Sequence, residues 1–386
     1  MFSEANMIYF KTRVATPKSR STKGGESMKR ILLLGIFSVL LLAAVLNFAV
    51  DVGVVLPTNA EPRWVQDETR FREALKNTKY SVEILFSQGL PAKERENVEA
   101  LIAKGIKVLI ICPHDAVAAA AAAEIAKKAG VYVISYDRLI MGTDAVDYYV
   151  TFDSVEVGRA MGRFLVQNVK AGTKGNPLYL YAGALSDNNS FLFFQGAWEI
   201  LQPKIADGTF RIINSSEAVK LQNKKDLTRD EMARIIGQIT TNWDFNVAKR
   251  KAEDDLTKAK ASDKGTVYIL APNDGTARAI ADAFRADKDV KAYFITGQDA
   301  EKPSVQYIID GKQSMTVFKD VRLLVRDAIN AAQLLLEGKK PVTTATYDNG
   351  KKKVPAIQSE IQVVTKENVK KILIESGYYS EKDFKW

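Results

Sequence analysis

Polar and aromatic side chains follow six short apolar runs of this chain, at the points where β-strands are predicted to end. Ligands of open α/β sheets bind beyond the carboxyl ends of the strands, so we expect these groups to converge on one cleft. Carboxylate, amide, guanidinium and ammonium groups hydrogen-bond a polyol, and an indole face stacks on a sugar ring. They form neither a nucleophile–base pair nor a metal cage. The candidates are Arg63-Trp64 after 52–56, Asp137-Arg138 after 131–136, Asp187-Asn188-Asn189 after 178–182, Asn273-Asp274 after 266–271, Gln298-Asp299 after 292–296 and Lys319 after 315–318.

The pair Asp137-Arg138 is the most specific of these clusters. Arginine offers a rigid fork of donors and aspartate offers two acceptor oxygens, so together they can hold neighbouring hydroxyls. A simple structural ion pair is the alternative. The amides of Asn189 and Asn273 donate and accept at once, as a hydroxyl requires, although asparagine at such positions is also typical of a turn.

The tryptophans Trp64, Trp198 and Trp243 are candidate platforms for stacking on a sugar ring. A single tryptophan more often belongs to a core than to a ligand site. Trp198 lies inside an apolar helical segment, so we assign it to the core.

Cysteine and histidine chemistry is nearly absent. The chain has one cysteine, Cys112, and one histidine, His114, so neither an internal disulfide nor a zinc site of the usual kind can form. We predict that Cys112 is buried in the core and that His114 caps or lines a cleft. The glycine loops of nucleotide sites and the G-x-S-x-G elbow are missing. We therefore expect no enzyme activity, no metal and no cofactor.

The charge is distributed unevenly. Residues 1–30 carry seven Lys/Arg and two Asp/Glu, a balance of +5, which leaves +4 of the total +9 for the rest of the chain. Acidic and basic residues are mixed in that remainder. This pattern favours an ordinary solvated surface over a nucleic-acid partner.

The N-terminus predicts export. Residues 31–50 are almost entirely apolar and follow Met28-Lys29-Arg30, as in a secretory signal. Met28 is a plausible start. Residues 42–45 match a lipobox in which Val45 occupies the position of the lipidated cysteine, so lipid cannot attach there. Cleavage near Ala44 or Ala49 and retention as an uncleaved anchor both remain open.

From residue 51 onward, predicted strands and helices alternate. The pattern begins again after residue 152, which predicts two α/β units with parallel sheets and a ligand between them. The polar stretch 215–235 is expected to be an inserted loop or surface helix. The end of the chain is predicted as one strand, 357–364, followed by a helix over 365–376.

These clusters resemble the periplasmic sugar-binding proteins of bacterial ABC transporters, especially the xylose-binding and multiple-sugar-binding groups. The similarity runs from about Val52 to the C-terminus. The stretches that carry it are Ile134-Ser-Tyr-Asp-Arg-Leu-Ile140, Tyr149-Val-Thr-Phe-Asp153, Ser186-Asp-Asn-Asn189, Pro272-Asn-Asp-Gly275, Gly297-Gln-Asp-Ala300, Val317-Phe-Lys-Asp320 and Ser376-Gly-Tyr-Tyr379.

The resemblance implies a fold of two Rossmann-like lobes joined by three hinge strands, the type I periplasmic binding protein fold. Crossings are expected near 153, 319 and 353. The implied organisation is an N-terminal extension with the signal or anchor (1–50), an N-terminal lobe (51–152 plus 320–353) and a C-terminal lobe (153–319 plus 354–386). The implied sugar contacts are Arg63, Trp64, Asp137, Arg138, Asn189, Trp243, Asn273, Asp299 and Lys319.

The expected function is therefore a receptor that closes around a pentose or hexose and delivers it to the membrane permease of an ABC importer. A chemoreceptor or sensor kinase is a further expected partner. The expected location is the periplasm or the outer face of the cytoplasmic membrane. The alternative is a sugar-responsive transcription regulator of the same fold, which would need a DNA-binding helix-turn-helix where residues 1–50 offer an apolar segment.

Overall fold

A computed structural model describes residues 50–76 and 78–386. The predicted export segment at 28–49, its lipobox-like residues and the upstream extension lie outside these ranges. Strands and helices alternate from Val52 onward, as predicted. Within the two described ranges, no helix is both long and apolar enough to cross a membrane.

The first lobe is built on one seven-stranded sheet. Its strands are β1 (Val52–Leu56), β2 (Val82–Phe86), β3 (Val108–Ile111), β4 (Tyr132–Tyr136), β5 (Tyr148–Phe152), β11 (Ala345–Asp348) and β12 (Lys353–Ser359). Their order is β11-β12-β5-β4-β3-β1-β2. All neighbours are parallel except the antiparallel β11–β12 pair. The central strands read as runs of Val, Ile and Leu because helices cover both faces of the sheet.

The second lobe contains a parallel four-stranded sheet and an antiparallel two-stranded sheet. The strands are β6 (Asn176–Leu180), β7 (Phe210–Ile212), β8 (Gly265–Leu270), β9 (Val290–Ile295), β10 (Met315–Lys319) and β13 (Ile361–Thr365). The larger sheet has the order β7-β6-β8-β9, and β10 pairs with β13. A single parallel bridge, Gln298 to Val317, links the end of β9 to β10.

Helices fill the connections and carry several site residues in their first turns. They are α1 (Pro62–Leu75), α2 (Pro91–Ala103), α3 (Ala119–Lys128), α4 (Ser154–Gln167), α5 (Asn188–Ala206), α6 (Ser216–Lys220), α7 (Arg229–Ile239), α8 (Phe245–Lys258), α9 (Asp274–Ala286), α10 (Lys302–Ile309) and α11 (Val321–Leu336). Short 3₁₀ turns occupy 261–263 and 381–383, and a π-helical turn spans Lys370–Ile374. The two-lobed α/β class predicted from the sequence is confirmed.

The chain passes between the lobes three times. It crosses between β5 and α4, between β10 and α11, and between β12 and β13. The third crossing lies at residue 360, not near 353, because Ala356–Ser359 still pair with β5 in the first lobe. The single strand predicted over 357–364 is therefore wrong. Two strands in two different sheets replace it, and the helix expected at 365–376 is reduced to the π-helical turn.

The polar stretch 215–235 is part of the folded second lobe. Thr228 caps α7, with Glu231 completing the capping box. The apolar face of this helix places Ile235, Ile236 and Ile239 in the lobe core beside α5. The predicted loop or surface helix is thus a packed amphipathic helix. As predicted, Trp198 and Cys112 are buried in the core.

Two glycines allow helices α4 and α5 to cross at close range. A Cβ atom on Gly158 would lie 2.0 Å from the Phe193 carbonyl oxygen, and one on Gly196 would lie 1.9 Å from the Val155 carbonyl oxygen. Backbone atoms cannot move aside as a flexible side chain can. This crossing fixes the start of α5, which carries site residues.

Gly196→Ala should therefore force the two helices apart and lower the free energy of unfolding by about 3 kcal/mol or more. Gly237→Ala is the matched control, because its nearest non-local atom to a new Cβ, Leu185 Cδ1, lies 4.0 Å away. That change should raise the free energy of unfolding by about 0.5–1 kcal/mol, since alanine is the better helix former. Urea unfolding followed by circular dichroism measures both. Equal stability of Gly196→Ala and the wild type would contradict the close crossing.

Candidate functional site

One cavity between the two lobes gathers the nine residues that the family resemblance implies as sugar contacts. Its volume is about 30 Å³, room for one or two water molecules. The nine predicted residues that line it are Arg63, Trp64, Asp137, Arg138, Asn189, Trp243, Asn273, Asp299 and Lys319. Four more that were not predicted as contacts complete the wall: Glu61, Asp187, Phe193 and Gln298.

The fold brings most of these residues together because they follow the carboxyl end of a strand or begin the next helix, whereas Trp243 lies in the turn between α7 and α8. Arg63 and Trp64 occupy the first turn of α1, where Pro62 starts the helix. The turn after β4 supplies Asp137 and Arg138. Asn189 lies in the first turn of α5. Asn273 precedes α9 as its N-cap.

Arg63 is the most heavily paired side chain of the site. Its Nε lies 2.7 Å from Asp67 Oδ2, its Nη2 lies 2.7 Å from Asp137 Oδ2, and its Nη1 lies 3.1 Å from Asp299 Oδ1. Asp67 and Asp137 belong to the first lobe and Asp299 to the second. The guanidinium is buried, so this ion cluster joins the lobes where water is excluded.

Two further cations complete the charge network. Lys319 Nζ lies 2.8 Å from Asp299 Oδ1, and Arg138 Nε lies 2.9 Å from Asp187 Oδ2. The second of these pairs also crosses between the lobes. The network therefore holds three cations, each already paired with at least one carboxylate.

Burial and charge move the carboxyl pKa values in opposite directions. Burial alone would raise the pKa of Asp137, but Arg63 and Lys319 outweigh it and hold that pKa below its ordinary value. Burial outweighs Arg138 at Asp187 and at Glu61, so the pKa of each of these carboxyls is raised. Asp137 is thus the firmly ionised acceptor of the cavity.

Asn189 connects the lobes through its side-chain amide. Its Nδ2 donates to the Asp137 carbonyl oxygen at 3.0 Å, and Ser154 Oγ donates to its Oδ1 at 3.1 Å. Its neighbour Asn188 is directed elsewhere, because Asn188 Oδ1 accepts from Arg229 Nη1 at 2.9 Å. Within the cluster 187–189, Asp187 and Asn189 therefore line the cavity, whereas Asn188 does not.

Two buried polar atoms of the cavity wall have no hydrogen-bond partner in the described protein. They are Gln298 Oε1 and Trp243 Nε1. Gln298 is held in place, because its Nε2 donates to the Pro272 carbonyl oxygen at 2.8 Å. Buried polar groups are ordinarily satisfied, so one acceptor and one donor here remain for a ligand or water.

The backbone is strained at three cavity residues. Asp137 (φ 59°), Trp243 (φ 61°) and Asp299 (φ 98°) have positive φ values, which non-glycine residues rarely adopt. Each such residue costs about 1–3 kcal/mol, and the cost is retained mainly at functional sites. Arg138 N donates to the Tyr136 carbonyl oxygen across Asp137, which makes the turn after β4 tight.

Trp243 reaches the cavity because a glycine faces it. A Cβ atom on Gly183 would lie 2.0 Å from the indole ring. The ring packs edge-on to Phe193, with centroids 6.4 Å apart. On the opposite wall, Trp64 Nε1 donates to Glu61 Oε2 at 3.1 Å. Two indoles, one from each lobe, therefore line the cavity.

Sequence reasoning missed part of this wall for identifiable reasons. Asp187 and Gln298 stood inside the strand-end clusters, and their position was a usable signal. Glu61 precedes its helix and Phe193 lies on the second turn of α5, so nothing in a single sequence separates them from ordinary surface and core residues.

Behind Arg138 lies a buried carboxyl that supports the loop after β3. Arg138 Nη1 contacts the Pro113 carbonyl oxygen at 3.4 Å, and His114 N donates to Glu94 Oε2 at 2.9 Å. Burial raises the pKa of Glu94 to about 7, against the lowering effects of the His114 amide and Arg138. His114 itself does not line the cavity, in contrast to one of its two predicted roles.

The chain and its structure are similar to sugar receptors. The sequence profile of the family described as periplasmic binding protein domain matches residues 52–340. The chain is 33% identical over 341 residues to the multiple sugar-binding periplasmic protein SbpA of Azospirillum brasilense, covering 86% of this chain and 91% of the relative. It is 33% identical over 349 residues to the multiple sugar-binding periplasmic receptor ChvE of Rhizobium radiobacter, covering 88% and 94%.

A solved structure is also similar to this chain. The carbohydrate transporter solute binding protein from Chloroflexus aurantiacus, in complex with D-glucose, superposes with a TM-score of 0.86 at 73% sequence identity. The match covers 87% of this chain and 98% of that chain.

The Glu94 carboxyl should make stability depend on pH. Unfolded, it loses its proton near its ordinary value of 4.5, whereas folded it keeps the proton to about 7. The native state then binds more protons, so stability falls as pH rises through this window, by on the order of 3 kcal/mol. Glu94→Gln should remove this loss of stability, because an amide does not titrate. The amide oxygen can still accept from His114 N.

Urea unfolding of wild type and Glu94→Gln between pH 4.5 and 7.5 measures the effect. As pH rises, the free energy of unfolding of Glu94→Gln should increase relative to that of the wild type. Glu96→Gln, on the exposed face of the same helix, serves as control. A wild-type to Glu94→Gln difference that stays constant across the window would contradict the prediction.

Proposed function

This chain belongs to the periplasmic binding protein domain family, and from that membership we propose that it is the solute-binding receptor of an ABC sugar importer. It binds a neutral monosaccharide, a pentose or hexose, between its lobes and delivers it to a membrane permease. It acts on the periplasmic side of the cytoplasmic membrane and catalyses no reaction. The relatives are periplasmic receptors, so the alternative of a transcription regulator is not favoured.

The observation that carries this proposal is the composition of the inter-lobe cavity. Charged and amide side chains from both lobes meet there with two indole rings, which is the chemistry that a sugar requires. Asp137 and Asp299 accept from hydroxyls, and Arg63, Arg138 and Lys319 donate to them. Trp64 and Trp243 cover the apolar C–H faces of the ring.

Asn273 and Gln298 add directed polar groups. Asn273 Oδ1 is engaged in capping α9, where it accepts from Thr276 N at 3.2 Å and Thr276 Oγ1 at 2.6 Å. That engagement turns the amide nitrogen into the donor for the sugar. Gln298 Oε1 and Trp243 Nε1, which have no protein partner, supply one acceptor and one donor more.

Binding requires the lobes to separate and close again. The cavity volume of about 30 Å³ is far below the roughly 300 Å³ of an ordinary ligand site. A monosaccharide must therefore displace the direct contacts between lobes, the Arg63–Asp299 and Arg138–Asp187 pairs, and take over part of their hydrogen bonding. We propose residues 153, 320 and 360 as the hinge of this motion. The closed form is what the permease recognises, and a chemoreceptor or sensor kinase would bind the same form.

The charge balance of the cavity favours an uncharged sugar. Around the three cations Arg63, Arg138 and Lys319 stand five carboxyls: Glu61, Asp67, Asp137, Asp187 and Asp299. The carboxyls outnumber the cations, so a ligand that brings uncharged hydroxyl donors completes the network. A ligand that brings another carboxylate meets like charge.

Arg138→Ala should weaken D-glucose binding about tenfold to a hundredfold, because it leaves Asp187 and sugar hydroxyls without a charged partner in a desolvated cavity. The affinity of Arg138→Lys should lie between those of Arg138→Ala and the wild type, since lysine keeps the charge and lacks the rigid fork of donors. Isothermal titration calorimetry measures both, with Arg159→Ala as control, because Arg159 pairs with Glu199 and does not line the cavity. Wild-type affinity in Arg138→Ala would place the sugar elsewhere.

D-glucuronate should bind at least about tenfold more weakly than D-glucose at pH 7, because its carboxylate faces an excess of buried carboxyls. The methyl ester of D-glucuronate has no charge and separates electrostatics from size. We expect the ester to recover part of the affinity in a competition assay against D-glucose. Equal binding of glucuronate and glucose would refute the charge argument and leave the receptor function standing.

A further inference from the structure

The C-terminal segment of the chain packs in the second lobe and contacts the first. Tyr378 and Tyr379 belong to the hydrophobic cluster around β10 and α10, where Tyr378 packs edge-on to Phe318 with centroids 4.6 Å apart. Neither tyrosine lines the cavity. Their hydroxyl groups, however, reach across to Gln66 on α1 of the first lobe.

The Tyr379 hydroxyl bridges the two elements that carry the central ion pair. It accepts a hydrogen bond from Gln66 Nε2 at 2.7 Å and donates one to the Ala300 carbonyl oxygen at 2.9 Å. Gln66 lies one helical turn after Arg63, and Ala300 directly follows Asp299. One hydroxyl thus ties together the backbones behind the Arg63–Asp299 pair.

Tyr378 completes the connection from the other side of the same amide. Its hydroxyl donates to Gln66 Oε1 at 3.2 Å, so both polar atoms of the Gln66 side chain are engaged by the second lobe. Two first-lobe guanidinium groups lie over the Tyr378 ring, Arg70 at 5.6 Å and Arg322 at 5.0 Å from its centroid. Arg322 Nη1 also donates to the Ser376 carbonyl oxygen at 3.1 Å.

We propose that Gln66, Tyr378 and Tyr379 form an inter-lobe clasp that sets the lifetime of the closed, sugar-loaded receptor without touching the sugar. This inference rests on the proposed receptor function. The clasp bonds join opposite lobes, so they exist only when the lobes are together, and opening must break them. They are positioning residues: they hold α1 against the 299–300 turn and thereby keep Arg63 and Asp299 at ligand-binding distance.

The clasp should act on release and not on capture. Sugar enters an open form in which these hydrogen bonds are absent, so the association rate constant does not depend on them. Dissociation requires opening, and each net hydrogen bond between neutral groups slows it by roughly threefold to tenfold. Tyr379→Phe removes one hydroxyl and keeps the ring, so packing in the second lobe is preserved.

Stopped-flow fluorescence of the full chain with D-glucose tests this, because Trp64 and Trp243 line the cavity. Tyr379→Phe should dissociate about threefold to tenfold faster at an unchanged association rate. Gln66→Leu removes both clasp hydrogen bonds and should dissociate faster still, and the double variant should be no worse than Gln66→Leu, since the one inter-lobe hydrogen bond of the Tyr379 hydroxyl is made to Gln66. Tyr293→Phe is the matched control: its hydroxyl donates to the Lys312 carbonyl oxygen at 2.7 Å within the second lobe, and both rate constants should stay at wild-type values.

A second measurement needs no ligand. Small-angle scattering of sugar-free protein should give the same radius of gyration for Gln66→Leu, Tyr379→Phe, Tyr293→Phe and wild type, because the open form lacks the clasp bonds in all four. Wild-type dissociation rates in both folded variants, or additive effects in the double variant, would overturn the clasp and leave the receptor function intact. Absence of monosaccharide binding by wild type across a panel of pentoses and hexoses would overturn the receptor function, and the inference with it.

Discussion

The buried guanidinium of Arg63 is the constraint on which the site depends. A cation taken out of water is stable only when carboxylates and hydrogen bonds replace its hydration, and removing one partner leaves an uncompensated charge. Three aspartates provide the replacement: Asp67 on the same helix, Asp137 after β4, and Asp299 from the other lobe. The positions of α1 and of two strand-end turns are therefore tied to one point. The same ion cluster therefore fixes both the arrangement of the lobes and the geometry of the site.

The same turns carry backbone strain, and specific contacts hold that strain in place. The Tyr149 hydroxyl donates to the Asp137 carbonyl oxygen at 2.6 Å, and Asn189 donates to the same oxygen. The turn at Asp299 rests on Gly297, whose missing side chain makes room for Asp274 Oδ1 and Gln313 Nε2, which lie 2.3 and 2.4 Å from where a Cβ would stand. Burial and the nearby Glu301 raise the pKa of Asp274 well above its ordinary value. A rigid scaffold under each turn maintains conformations that the turns would not adopt alone.

Much of this arrangement could be predicted from the sequence because strand ends in a parallel sheet converge. Every one of the nine residues named from strand-end clusters and the family resemblance lines the cavity. The failures have a common physical origin, since they depend on contacts distant in sequence. The third crossing lies at residue 360 because β12 pairs with β5, and α7 is packed because its apolar face meets α5. Whether a given strand belongs to one sheet or the other is a property of its partners, which periodicity does not encode.

The need to distinguish a loaded from an empty receptor limits how strong any contact between the lobes can be. The proposed tyrosine clasp stabilises closure whether or not a sugar is present, whereas the sugar contacts depend on ligand. A contact equal in both closed forms raises affinity by the same factor that it raises the population of the empty closed form. An empty closed receptor would bind the permease unproductively and would exclude sugar from the cavity. In the proposed receptor, contacts such as the clasp must therefore remain individually modest, and most of the closing free energy has to come from the hydroxyl groups of the sugar. Selectivity for a loaded receptor follows from this division, since it is set by the difference between the two closed forms and not by the tightness of either.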